Sequence, residues 1–558
     1  MVAGMKLQLH FPIVALAVVL SACSGQTENQ PSATPQSSAP QTAAAPAATT
    51  EKPAQPDATA AATPTPSAAE QPAPTPADAA NAALVQKAEA LTQEQIKQSR
   101  DPGALSKLAQ LYYAQHDAER FTWALEQLVQ LMPNSGNLKL QLAMAYAGAD
   151  DKSKTYDMLV RLINLGYSYD VAKDPRFEKV RGTRVWDYIV DSYQNNGKQF
   201  GEGKIAFELP KGDRLLESIV WDPKRKQFLA GSVREGKIYL VDASGKLSDF
   251  ISADANNGMW AVYDMAVDAA HDKLYVISNG VPHFNGFNAD ILGKAGVFEF
   301  TLSTGKFLHK YILPQDNGKH ILSSIAVDGK GRVYAADGVS QQIYRLDGGE
   351  LKLMIGNRVL TGIRGMTVSA DGKTLYFADL ALGIFGLDLN TLKPFDLGHD
   401  PAKLVLGGIE GLYWYDGTLV AIQNEMSPQR VMRLKLSDDG HSIVSAMPLD
   451  VAQPAFAALT IGTVANDSLY FISNSQKADY DSLGALIHAD KLEPVKIFRS
   501  NLRFAWDQKG VSAAPAKPTQ KFTPRELHDM LNTPPKGVVP AVQENDPNQK
   551  PGEAQQQQ

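Results

Sequence analysis

Apolar and polar residues alternate along residues 203–502 in a unit that occurs six times. Each unit has an apolar strand with a polar first residue, a turn of Asp, Asn, Gly and Lys, and a second strand of β-branched and aromatic residues. Three copies read DMAVDAAHDKLYVISNG from Asp264, SSIAVDGKGRVYAADG from Ser323 and GMTVSADGKTLYFADL from Gly365. Alternation buries one face of each strand, and several short strands per repeat are typical of a β-propeller. We therefore predict an all-β propeller of six blades.

Alignment of the six copies places one residue near the start of each first strand in a common column. Successive members of this column are 46, 60, 41, 46 and 50 residues apart. The first strand of each blade lines the central channel of a propeller, so the column supplies the candidate binding residues. The column consists of Glu217, Tyr263, Ser323, Arg364, Glu410 and Thr460.

Two further features of the propeller region leave alternatives open. The Gly/Asn-rich segment 279–293 lies in the longest interval and carries His283 and Phe284, and it fits either a lid over the channel or a surface insertion. Strands are also predicted before the first blade, at Lys204–Leu209, and after the last, at Val495–Phe498. Either of them is a candidate to close the ring of blades.

Residues 81–198 have helical periodicity. Five residues recur 34 positions later: Leu108, Ala109, Tyr112, Leu125 and Leu128 return as Leu142, Ala143, Tyr146, Leu159 and Leu162. This period resembles the tetratricopeptide repeat, which implies a small all-α domain. A concave surface for a protein partner and a helical spacer both fit about two units. The segments around Phe177 and Trp186 are predicted to dock this domain on the propeller.

The N-terminus has the pattern of a secretion signal. Lys6 precedes the apolar run from Phe11 to Leu20, which is too short to span a bilayer as a mature helix. The following Leu20-Ser21-Ala22-Cys23 resembles the bacterial lipoprotein box, which implies cleavage of residues 1–22 and lipidation of Cys23. By the same resemblance Ser24 favours the outer membrane. We expect a lipid-anchored cell-envelope protein that faces the periplasm.

Two segments lack the apolar residues that a core requires. Residues 23–80 are rich in Ala, Pro, Thr and Ser and are predicted to be a disordered tether. Residues 510–558 are rich in Pro, Gln and Lys and are predicted to be a disordered tail with one short helix, from Thr523 to about Leu531.

Composition excludes several classes of function. The net charge of −6 argues against nucleic acid as a partner, because phosphate binding needs a basic surface. The single cysteine excludes an intramolecular disulfide and a cysteine-based metal site. The sequence contains no HExxH, GxSxG, GxGxxG or Walker motif, so it does not point to a zincin, a serine hydrolase or a nucleotide enzyme.

The first repeat carries a family resemblance. Glu217-Ser218-Ile219-Val220-Trp221, followed by Gly231-Ser232-Val233, resembles the opening of the regucalcin–gluconolactonase family of six-bladed propellers. That family hydrolyses sugar lactones and related esters with a divalent metal ion held in the channel. The resemblance implies Glu217 and Glu410 as metal ligands, with calcium, zinc or manganese as the ion, and Glu410 as the catalytic base.

Arg364 changes this expectation. It stands in the channel column where the family has Asn, and a guanidinium has no lone pair to give a cation. The sequence therefore predicts that Arg364 bridges Glu217 and Glu410, which forms either a metal-free polar plug or a site that recognises an anion.

The sequence is compatible with two functions. The first is a binding protein whose propeller holds a small ligand or partner, with the helical repeat as a second interaction surface. The second is a metal-dependent lactonase or esterase.

Overall fold

The computed structural model describes residues 88, 90–314, 318–357 and 359–504. The predicted signal peptide, Cys23, the tether and the tail with its short helix lie outside these residues. Residues from Gln93 onward form one compact unit, which carries every element named below. No helix within the described residues is both long enough and apolar enough to cross a membrane.

Helices occupy the first part of this unit. They are α1 (Gln93–Gln98), α2 (Pro102–Ala114), α3 (Ala118–Leu131), α4 (Gly136–Gly148), α5 (Lys152–Asn164) and α6 (Arg184–Asn196), with a 3-10 helix at Pro175–Val180 between α5 and α6. The helix starts repeat at 34 residues, since α4 begins 34 after α2 and α5 begins 34 after α3. The likeness to a tetratricopeptide repeat remains a prediction.

Side-chain caps fix where these helices begin. Asp101, Asp117, Ser135, Asp151 and Thr183 each accept a hydrogen bond from a backbone N–H in the first turn of the following helix. Such a cap satisfies donors that have no partner within the helix and contributes about 1 kcal/mol. The short polar turns between helices are therefore encoded locally.

The aromatic residues expected to dock on the propeller pack within the helical domain instead. The ring of Phe177 lies 5.7 Å from that of Trp186, and Trp186 lies 6.5 Å from Tyr156 of α5. Phe177 and Tyr156 are fully buried. These rings form the core that joins α5, the 3-10 helix and α6.

The rest of the described chain forms six antiparallel sheets of four strands, which confirms the predicted six-bladed propeller. The strands are β1 (Lys204–Leu209), β2 (Leu216–Asp222), β3 (Gln227–Ser232), β4 (Lys237–Val241), β5 (Leu247–Ser252), β6 (Ala261–Asp268), β7 (Lys273–Asn279), β8 (Ala295–Thr301), β9 (Phe307–Ile312), β10 (Leu322–Val327), β11 (Val333–Asp337), β12 (Gln342–Asp347), β13 (Glu350–Gly356), β14 (Ile363–Val368), β15 (Thr374–Asp379), β16 (Gly383–Asp388), β17 (Pro394–Asp396), β18 (Ile409–Tyr415), β19 (Thr418–Gln423), β20 (Arg430–Leu436), β21 (Ile443–Val451), β22 (Gly462–Ala465), β23 (Ser468–Ile472) and β24 (Val495–Asn501). Blades 1 to 5 are consecutive groups of four strands from β2 to β21.

The sixth blade closes the ring. Its strand order is β1-β24-β23-β22, so the strand before blade 1 supplies the outermost strand of the last blade. β1 pairs with β24 from Lys204 opposite Arg499 to Leu209 opposite Val495. The two terminal strands predicted from sequence are thus partners, and their pairing covers an edge of β24 that would otherwise be open.

The helical domain is fixed to the propeller by buried polar contacts. Arg430 of β20 donates from Nη1 to the carbonyl of Leu165, the C-cap of α5, over 3.2 Å and from Nε to Gln423 Oε1 over 2.6 Å. Asn134, between α3 and α4, donates to the carbonyl of Leu382 and accepts from the N–H of Leu406. The helical domain and blades 4 and 5 are therefore held in one arrangement.

Arg430→Met is expected to loosen this attachment. Arg430 is 7% exposed, and burial lowers the pKa of its guanidinium to about 10, so it stays charged at neutral pH. That charge faces the carbonyl end of α5, where a cation is stabilised. Removing it leaves the Leu165 carbonyl without this donor, at a cost of about 1–3 kcal/mol.

Hydrogen exchange of α4 and α5 measures this effect, with Arg345→Met on the outer face of blade 3 as the matched control. Faster exchange in both helices of the Arg430 variant alone supports the attachment. Unchanged exchange contradicts it.

Candidate functional site

A β-bulge sits at the same place in the inner strand of five blades. In β2 the ladder passes from Leu216 to Ser218 while the partner strand advances by one residue, which leaves Glu217 unpaired. The same shift leaves Tyr263, Ser323 and Glu410 unpaired in β6, β10 and β18. In β14 it falls between Ile363 and Met366, across Arg364. A bulge turns its unpaired residue away from the pleat, so the column residues are re-aimed together.

Glu217 anchors one side of the channel. Its Oε1 accepts a hydrogen bond from Ser475 Oγ over 2.5 Å, and its backbone carbonyl lies 3.5 Å from Thr460 Oγ1. Burial raises the pKa of the Glu217 carboxyl; Lys477 and the bond from Ser475 offset part of that rise, and the charge of Glu410 adds to it. Glu217 therefore shares one electrostatic environment with Glu410, although the two lie in blades 1 and 5.

Arg364 makes only half of the predicted bridge. Its Nε lies 4.0 Å from Glu410 Oε2 without a hydrogen bond, and no ion pair to Glu217 is found among the described residues. Arg364 does influence Tyr263: burial raises the pKa of this phenol, Glu217 adds to the rise and Arg364 opposes it. The structure thus places Glu217, Tyr263, Arg364 and Glu410 close enough for their charges to influence one another.

Ser323 and Thr460 have different surroundings. Ser323 Oγ donates to the carbonyl of Ile363 in the next blade over 2.7 Å, so it joins two inner strands. Thr460 precedes β22, and its N–H donates to the carbonyl of Ile472. Both side chains support the wall of the channel.

Two charged residues that sequence reasoning missed complete the group. Glu425 follows β19, and burial raises the pKa of its carboxyl, with Glu410 adding to the rise and Arg364 opposing it. Lys477 lies in the segment between β23 and β24 and acts on Glu217. We call Glu217, Arg364, Glu410, Glu425 and Lys477 the channel mouth. The hairpin register, which pairs Ile409 with Gln423, was a usable signal for Glu425; no comparable signal exists for Lys477.

A buried carboxyl lies beside the column. Asp264 follows Tyr263 and accepts hydrogen bonds from the N–H groups of Met265 and Ile325 over 2.8 and 3.0 Å. Burial nevertheless raises its pKa to about 7. Tyr413 of blade 5, whose hydroxyl accepts from the N–H of Gly462, is close enough to feel the charge of Asp264. The bond from Ile325 to Asp264 joins blades 2 and 3, and the bond from Gly462 to Tyr413 joins blades 5 and 6.

The segment 279–293 is packed rather than free. Arg234 Nη1 donates to the carbonyls of both His283 and Gly484 over 2.9 Å, which joins this segment to the one that carries Lys477. Tyr480 packs in an apolar cluster with Leu215, Val233, Ala261 and Val281, and Tyr263 of the column lies against it. The two segments therefore pack together beside Tyr263 of the column, and the choice between a lid and a surface insertion stays open.

The mouth does not fit the expected metal. No group of three or more His, Cys, Asp or Glu residues that would hold an ion is found in the part of the chain that the structure describes. Glu410 faces a guanidinium, and Glu217 is engaged by Ser475. Calcium, zinc and manganese need several oxygen or nitrogen ligands together, whereas a nearby guanidinium repels them. We therefore derive no step through a metal, and the role of Glu410 as a base stays a prediction.

The arrangement is suited to recognition. Side chains of both signs lie close enough in the channel mouth to influence one another's charge. Fixed charges of opposite sign orient a ligand that carries complementary groups.

Comparison with known proteins adds little to this geometry. No protein-family model and no curated protein matches the chain. Among solved structures, the chain is similar to the PQQ-bound aldose sugar dehydrogenase of Streptomyces coelicolor, at 13% identity over 54% of this chain and 99% of that chain, with a TM-score of 0.36. It is also similar to a streptogramin B lyase (15% identity, 54% and 97% covered, TM-score 0.36) and to a luciferin-regenerating enzyme (14%, 52% and 92%, TM-score 0.35). At such low identities and scores these similarities carry no argument about this chain.

Proposed function

We propose that this chain is a lipid-anchored protein of the bacterial cell envelope whose propeller binds a small polar ligand at the channel mouth. One observation carries the proposal: bulges re-aim the column residues, and Arg364 and Glu410 among them make no side-chain hydrogen bond to any described residue. Buried polar atoms are normally bonded, so the buried Nε of Arg364 is an exception, and the accessible charges beside it are available to a ligand.

The helical domain supplies the second interaction surface in this proposal. A shallow pocket of about 300 Å³ lies between the segment after α5 and α6, lined by Tyr169, Val171, Lys173, Val190 and Gln194 among others. Tyr169 belongs to this lining, and tyrosine is among the residues enriched in protein-binding surfaces. A protein partner held there would be brought close to the ligand site, because the domain is fixed to blades 4 and 5.

The anchor rests on the sequence around Cys23. Several acyl chains on one cysteine bind a bilayer almost irreversibly, and Ser24 favours the outer membrane by resemblance. The metal-dependent hydrolase is the weaker alternative, because the described residues of the mouth supply no ligand set for its metal.

Membrane fractionation tests the anchor. We expect the wild-type chain in the outer-membrane fraction and the Cys23→Ala variant in the soluble or inner-membrane fraction. Release of the wild-type chain by high salt alone would contradict lipidation, since salt removes proteins held by charge but not by acyl chains.

A thermal-shift screen with small polar metabolites tests ligand binding, using the full-length Cys23→Ala chain. A ligand of the mouth is expected to raise the melting temperature of the parent chain and not that of Arg364→Gln. If no compound distinguishes the two proteins, the channel is structural and the proposal falls.

A further inference from the structure

Three side chains of the channel mouth, Arg364, Glu410 and Glu425, are available to hydrogen-bond a ligand. Arg364 Nε is buried without a hydrogen-bond partner, although 37% of the side chain as a whole is accessible. Glu410, 21% exposed, lies 4.0 Å away. Within the described residues no hydrogen bond reaches the carboxyl of Glu410 or of Glu425. One donor group and two acceptor groups thus face the same space.

An unpartnered guanidinium points to a ligand anion. A buried donor without an acceptor costs about 1–3 kcal/mol, which a bound acceptor returns. The planar N–H groups of arginine match a carboxylate with two parallel hydrogen bonds. Glu410 does not fill this role from 4.0 Å, and the accessible part of the Arg364 side chain is open to an external carboxylate.

The carboxylates point to a ligand cation. The Glu410 carboxyl has no hydrogen bond among the described residues, and its charge raises the pKa of both Glu217 and Glu425, while Lys477 offsets only part of the rise at Glu217. A positive group among these three carboxylates relieves their repulsion. An ammonium group suits this place, because it is compact and offers three donors.

We propose that the ligand is a small zwitterion of the α-amino-acid type, with its carboxylate on Arg364 and its ammonium group between Glu217 and Glu410. The inference rests on the proposed function and specifies the ligand of that site. The short separation between Arg364 and Glu410 matches a molecule whose two charged groups are joined through one carbon atom.

Other ligand classes leave part of the mouth unsatisfied. A dicarboxylate brings further negative charge to three carboxylates. A simple amine leaves Arg364 without an acceptor. A neutral sugar forms hydrogen bonds but does not neutralise the repulsion among Glu217, Glu410 and Glu425. A zwitterion satisfies both signs at once.

Paired probes test the ligand class by calorimetry on the full-length Cys23→Ala chain. Each amino acid is compared with its decarboxylated amine and its deaminated acid, and D-glucose and succinate complete the set. We expect at least one amino acid to bind at least tenfold more tightly than both of its truncated forms. Binding of glucose or succinate alone overturns the ligand class and leaves the proposed function standing. Binding of none of the probes overturns the class, and the wider screen above then decides the function.

Two variants separate the two halves of the site. Arg364→Gln is expected to remove the preference for the amino acid over its decarboxylated amine, and Glu410→Gln the preference over its deaminated acid. Arg345→Gln in β12 and Glu350→Gln in β13, the two outer strands of blade 3, are the matched controls and should keep both preferences. Melting curves establish that each variant is folded. If both preferences survive in both mouth variants, the ligand binds elsewhere and the assignment is wrong.

Discussion

Leu209→Ala is expected to lower the free energy of unfolding by about 2–5 kcal/mol, because it leaves a cavity in the seam that closes the propeller. Leu209 is 0% exposed and is the last residue of β1. It packs with Leu216 of blade 1 and with Val495 and Ile497 of β24. The same side chain thus joins the first blade to the last, and its loss weakens the ring at the pairing of β1 with β24, which closes it.

Ile205→Ala is the matched control on the same strand. Ile205 is 39% exposed and lies beside the bulge of β1, so its truncation should cost less than about 1 kcal/mol. Urea unfolding followed by tryptophan fluorescence measures both variants. Equal losses for Leu209 and Ile205 would show that closure does not depend on the buried face of β1.

The sequence was sufficient to predict the number of blades, because period-two alternation is local and recurs. Closure was predicted only as two alternatives, Lys204–Leu209 and Val495–Phe498. Pairing between segments about 290 residues apart leaves no local signal, and the structure shows that the two strands close the ring together. The helix starts were predictable because they too depend on a local signal that recurs: Asp117 and Asp151 are N-caps at equivalent positions of the two repeats.

The sequence predicted which residues stand at equivalent positions in the channel column, but it did not predict which of them contact each other. Alignment found Glu217, Arg364 and Glu410 because each stands at the equivalent bulge. It did not find that Ser475 would bond Glu217, or that Arg364 would lie 4.0 Å from Glu410 without a hydrogen bond. Ser475 reaches the channel from the segment after β23, whose path depends on packing around Tyr480.

The attachment of the helical domain was also missed. Large aromatic residues such as Trp186 suggested docking on the propeller. That ring is instead buried inside the helical domain, and Arg430 and Asn134 make the polar contacts between the two parts. An arginine within a strand sequence gives no sign that it will meet the carbonyl end of a helix 265 residues earlier in the chain.

Asp264 is expected to make the propeller less stable as pH rises from about 4 to about 7. The folded pKa of about 7 stands above the ordinary value of 3.8 because the carboxyl is buried. Below pH 4 the carboxyl is protonated in both the folded and the unfolded state, so it imposes no penalty. As pH rises, the unfolded chain releases this proton first, and stability falls until the folded carboxyl also ionises near pH 7. A difference of about three pKa units corresponds to a loss of at most about 4 kcal/mol.

Asp264→Asn isolates this contribution, because an amide does not titrate. The variant loses one acceptor for the N–H groups of Met265 and Ile325, at a cost that does not depend on pH. The stability of wild type relative to the variant should therefore be highest at pH 4 and fall by up to about 4 kcal/mol at pH 8. Urea unfolding at four pH values measures the difference, with the exposed Asp249→Asn as the control. A pH-independent difference for Asp264→Asn would mean that its carboxyl titrates normally, and that the polar contact between blades 2 and 3 carries a full charge at neutral pH.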